Sequence, residues 1–137
     1  MSSRQAYDTP GVHDKLAPTP AHAAATATEI VPVFEAPVNC RITKVTFRPG
    51  AAVTGANTNT THLNVIDMGV GGAGATEKGN YDLVSGNDLA AGEAKALYAP
   101  AGGLAVSQGN LIGLQFEKVG TGLTVPAGAV IVEFEPE

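Results

Sequence analysis

Apolar and polar positions alternate with a period of two through much of the chain. Near the C-terminal end, Ile112, Leu114 and Phe116 fall on one side of a strand-like run, with Gly113, Gln115 and Glu117 on the other. Val130, Val132 and Phe134 repeat the pattern against Ile131, Glu133 and Glu135. Such alternation predicts strands with one face in a core and the other toward solvent or a partner. Earlier runs rich in β-branched residues predict three more strands, at 26–35 (TATEIVPVFE), 40–47 (CRITKVTF) and 62–68 (HLNVIDM). Pro32 cannot donate a ladder hydrogen bond, so it marks an edge or a bulge. The second run ends at Pro49-Gly50, a pair suited to the two central positions of a reverse turn. Weaker strand signals fall at 81–84, 94–99 and 104–106. Seven or eight strands with no long helix predict an all-β fold, a single antiparallel β-sandwich of the jelly-roll kind, over residues 26–137.

Residues 1–25 break the pattern. They contain Pro10, Pro18 and Pro20, end in the run AHAAA, and offer few large apolar side chains beyond Tyr7, Val12 and Leu16. Too little apolar surface can be buried there to offset the entropy of ordering. The segment is expected to be an extended N-terminal arm, free in isolation and ordered only against a neighbouring chain.

Composition narrows the choice of partners. Aromatics are only 5% of residues and Trp is absent, so Val, Leu, Ile and Ala must fill the core. The net charge is −5, and the eight basic residues are scattered singly. No basic stripe exists to neutralise phosphates, which argues against nucleic acid. No apolar run is long enough to cross a bilayer as a helix, and MSSRQAYDTP lacks the apolar core of a signal peptide, so synthesis in a cytosol and no membrane partner are expected. Cys40 is the single cysteine. It excludes an intrachain disulfide and reads as a small buried hydrophobe.

Motifs for chemistry are weak. Gly69-Val70-Gly71-Gly72-Ala73-Gly74 matches G-x-G-x-x-G, but the continuation ATEKGNYDLV has no apolar helical face to hold a pyrophosphate, so a mobile surface loop is expected over 69–80 and no cofactor. His13, His22 and His62 lack metal-ligand spacing, and no metal is expected. Asp67, Asp82 and Asp88 do not follow the calcium-loop pattern. None of Ser2, Ser3, Ser85 and Ser107 lies in G-x-S-x-G, and only His62 of the folded part could serve as a base, so no catalytic residues are expected. Glu133, Glu135 and Glu137 read as a solvated strand face. The Thr/Asn-rich stretch 54–64 could present hydrogen-bonding groups to a sugar or simply lead into a strand.

The order of features IVPVFEAP, NCRITKVTFRPGAAVTGANTNTTHLNVID, VSQGNLIGLQF and GTGLTVPAGAVIVEFEP resembles the small head-decoration (cement) proteins of tailed bacteriophages, over roughly residues 26–137. The resemblance implies a virion structural protein, not an enzyme. It implies a homotrimer seated on the outside of the capsid, where major-capsid-protein subunits meet. It implies an N-terminal arm reaching onto the shell or an adjacent subunit, for which Tyr7, Val12, Leu16, Pro18 and Pro20 are the candidate contacts. The alternatives are a virion-surface adhesion or carbohydrate-binding module of tail or fibre and, further off, a trimeric β-fold enzyme with a site between subunits.

Overall fold

A computed structural model describes residues 11–137, so Tyr7 lies outside the described residues. These fold as nine β-strands: β1 (His13–Thr19), β2 (Glu29–Glu35), β3 (Cys40–Pro49), β4 (Thr60–Gly69), β5 (Thr76–Asp82), β6 (Lys95–Tyr98), β7 (Leu104–Val106), β8 (Leu111–Val119) and β9 (Gly128–Pro136). All pairings are antiparallel. The first sheet runs β1-β9-β3-β6, with β7 sharing the side of β3 used by β6, and the second runs β2-β8-β4-β5. Their apolar faces pack together as a β-sandwich.

The alternation seen in the sequence decides which face is inward. Ile112, Leu114 and Phe116 of β8 are buried, as are Val130, Val132 and Phe134 of β9, and Phe34 of β2 meets Phe134 across the sandwich at 5.2 Å between ring centroids. Phe47, Phe116 and Phe134 are the largest fully buried side chains, and aliphatic residues fill the space around them. Pro32 lies on β2, an edge strand, where the register shifts between Pro32 and Phe34.

Two expectations are corrected by the backbone. Part of the segment read as a free arm is a strand of the chain's own sheet: His13–Thr19 pairs with Gly128–Phe134 along its whole length. The segment that follows is fastened as well. His22 is 0% exposed, its backbone pairs with Val125 in both directions, and its ring stacks on Phe116 at 5.0 Å. Its Nδ1 lies 3.0 Å from Glu29 Oε1. The sequence hid this because β1 pairs with a strand more than a hundred residues away, and its single large apolar side chain, Leu16, does not face the core.

The second correction concerns the glycine-rich stretch. Only its first part is a turn, with Gly69 and Gly72 at φ 73° and 75°; Thr76–Asp82 is strand β5, paired with β4. A strand after the glycines, in place of a helix, leaves no helix N-terminus for a pyrophosphate. Gly79 sits where a Cβ would come within 2.6 Å of Leu97 O and 2.8 Å of Tyr98 Cβ, so its lack of a side chain lets β5 approach β6 and close that margin of the sandwich.

Candidate interaction surface

Side chains that alternate away from the core form the outer face of the first sheet, and the strand register sets them in rows. Asp14 of β1, Glu133 of β9 and Lys44 of β3 form one row; Leu16, Ile131, Thr46 and Ala96 form the next; Pro18, Ala129 and Arg48 form a third. The middle row is apolar or small apart from the Thr46 hydroxyl. Leu16 is 64% exposed, and it borders a shallow depression of about 370 Å³ that Lys44, Thr46, Arg48, Ala94, Ile131 and Glu133 also line. Leu16 stands mostly in water beside the half-buried Ile131 and the buried Thr46, so another surface can gain by covering it.

Charge on this face is separated by strand. The acids stand on β1 and β9, the bases on β3. Asp14 and Glu133 lie directly opposite each other on adjacent strands, an arrangement that works against pairing for like charges. Glu133 and Lys44 are also cross-strand partners, yet no ion pair joins Asp14, Glu133 or Lys44 to another described residue. Arg48 donates through Nη1 to the Gly92 carbonyl, which holds the loop before β6.

The outer face of the second sheet is chemically different. Glu117, His62 and Asp82 form a row across β8, β4 and β5, and Gln115, Asn64 and Asn80 form the row beside it. His62 Nδ1 lies 3.3 Å from Asp82 Oδ1 and 3.4 Å from Glu117 Oε1. Asn64 donates to Gln115 Oε1 and Glu117 Oε1, while its own Oδ1 is buried without a partner among the described residues. Asn80 donates to Asp82. This is a hydrogen-bonded polar platform that ties three strands together. Among the described residues no group of histidine, cysteine and carboxylate side chains is arranged to hold a metal ion.

The sequence-derived candidates separate in space. Val12, 63% exposed, lies just before β1 and Pro20 just after it, while Leu16 and Pro18 lie on the outer face of the first sheet. Asp67 caps its own turn by accepting from Gly69 N and Asn110 Nδ2, and Asp88 accepts from Gly55 N. In the Thr/Asn-rich stretch, Asn57 accepts from Ser85 N and Asn59 from Thr121 N, so these amides hold neighbouring loops. Glu137 pairs with Arg41 at 3.0 Å. Cys40 is buried, and burial, helped by the charge of Glu137, pushes its thiol up to about 11. Lys44, Thr46 and Arg48 escaped the sequence reading because the register shift between Ile42 and Lys44 breaks the alternation of β3, and Ala94 and Ala96 carried no signal.

Comparison of the chain with family models, with curated proteins and with solved structures returns no match.

Proposed function

We propose that this chain is a virion structural protein, a capsid decoration protein that binds the outside of an assembled bacteriophage head through the major capsid protein and stabilises the shell. The observation that carries this reading is the exposed N-terminal margin: Val12, with most of its surface in water, leads directly into an edge strand of the sandwich. A ligand that binds the assembled lattice and not its separated subunits stabilises the lattice by mass action, and this needs no catalytic group. Several such contacts per oligomer combine by avidity, so each can be weak. The jelly-roll wrapping is supported by the path of the chain, in which only the β4–β5 and β6–β7 links stay within one sheet.

Because β1 belongs to the sheet, the test removes only what precedes it. A chain lacking residues 1–12, and separately Val12→Asp, is titrated onto undecorated heads of the parent particle and occupancy is counted by electron microscopy. Reduced occupancy is expected; full occupancy with residues 1–12 absent refutes the proposed contact.

The polar rows of the second sheet favour one other reading, a glycan-binding module, since carboxylates and amides side by side can each engage neighbouring hydroxyls. Binding on a glycan array that is lost in Asn80→Ala and Glu117→Gln would support it over the capsid role.

A further inference from the structure

We propose that the outer face of the first sheet is an interface between two copies of this chain, packed face to face about a twofold axis that runs parallel to the strands between β9 and β3. A twofold contact joins one patch to itself, so the patch must be self-complementary in shape and in charge. This one is. An axis in that position lays β9 of each copy over β3 of the other and β1 over β6, and it keeps the cross-strand rows in step.

Three juxtapositions follow from the observed register, each occurring twice. Glu133 of one copy faces Lys44 of the other, Ile131 faces Thr46, and Leu16 falls over the small side chain of Ala96. Large meets small at the margins, and acid meets base near the axis. In the single chain these groups are poorly served. Leu16 is in water, Asp14 and Glu133 repel each other across β1 and β9, and neither acid has an ion pair among the described residues. Two sheets stacked about 10 Å apart cover the apolar row and bring a cation to Glu133. The contact does not depend on the capsid reading, and it sets the copy number at two where the resemblance implies three.

Analytical ultracentrifugation of the full chain tests this with Glu133→Lys, Lys44→Glu, Leu16→Asp and an equimolar mixture of the two charge variants. The wild type is expected to sediment as a dimer. Each charge reversal sets like charges against each other twice per dimer and weakens association about a hundredfold. Leu16→Asp is expected to dissociate it too. The mixture is expected to recover the dimer, because the introduced lysine then faces the introduced glutamate while the untouched Lys44 and Glu133 face each other. Mixing leaves each chain's internal like-charge pair unchanged, so recovery reports a contact between chains and shows that both variants are folded. A wild type that is monomeric at about 1 mM, a trimer, a dimer indifferent to all three substitutions, or a mixture that stays dissociated overturns the proposal.

Discussion

At the scale of single residues, two side chains carry more than their type suggests. Cys40 is closed off by β7 and β9, and its thiol is raised from an ordinary value of 9.0 to about 11, first by burial and then by Glu137. The folded protein therefore holds this proton more tightly than the unfolded chain does. That preference supports the fold fully below pH 9 and is lost as the pH climbs toward about 11. Urea midpoints are expected to fall across that window, and to fall less in Cys40→Ala; equal slopes in the two proteins would remove the thiol as the cause. Tyr81, raised by burial and by Glu93 and Asp88, adds to the loss in the same direction. His22 is the second case. Its ring fills the space beside Phe116 and its backbone fixes the path to β2, so His22→Ala is expected to cost about 2–4 kcal/mol by denaturant titration, as a large-to-small change in a packed site does. A loss below about 0.5 kcal/mol, ordinary for a surface position, would show that the ring is not packed as described. Cys40 was read as buried from its residue type, as a small hydrophobe, and it is 0% exposed. His22 was misplaced, because it sits in a stretch of alanines and is held by Phe116 and Val125, far along the chain.

At the scale of elements, what was legible follows the strength of the local pattern. β3 and β4 were anticipated within a few residues because they are rich in β-branched side chains, and β8 and β9 because each alternates large apolar side chains with polar ones. β1 and β5 were not. HDKLAPT and TEKGNYD contain almost no large inward side chain, and each is a strand only because a neighbour offers it a ladder: β9 for β1, β4 for β5. Register then decided what the surface looks like. The bulge between Ile42 and Lys44 sets Lys44, Thr46 and Arg48 outward in line with β9, a placement no single-strand pattern predicts. β1 also shields β9, which would otherwise be a long unpaired edge. Deleting residues 1–20 is expected to lower stability by about 2–4 kcal/mol and to cause concentration-dependent aggregation, because bare ladder groups template pairing with other chains. Deleting residues 1–12 leaves the pairing of His13–Thr19 untouched. Light scattering and thermal melts that do not separate the two truncations would mean that β1 contributes nothing to the sheet.

At the scale of the whole molecule, the sandwich was legible as a class, since alternating strands with turn residues between them leave few other ways to bury one face of each. The order of strands within the sheets was not, because it depends on which distant segments meet: β2 beside β8, β1 beside β9. Those pairings close long loops before they are rewarded. Refolding is therefore expected on a scale of about milliseconds to seconds, as for all-β domains with non-local pairing, and stopped-flow fluorescence of the tyrosines can measure it. A microsecond phase that recovers the full signal would contradict the topology. The same pairing of β1 with β9 has a mechanical outcome. His13 stands opposite Phe134 at one end of the ladder and Thr19 opposite Gly128 at the other, so the strand that opens the described chain and the strand that closes it enter and leave side by side. Tension applied between the two ends would load the His13–Phe134 rung alone, then the next, peeling the ladder bond by bond at low force instead of shearing all of it at once.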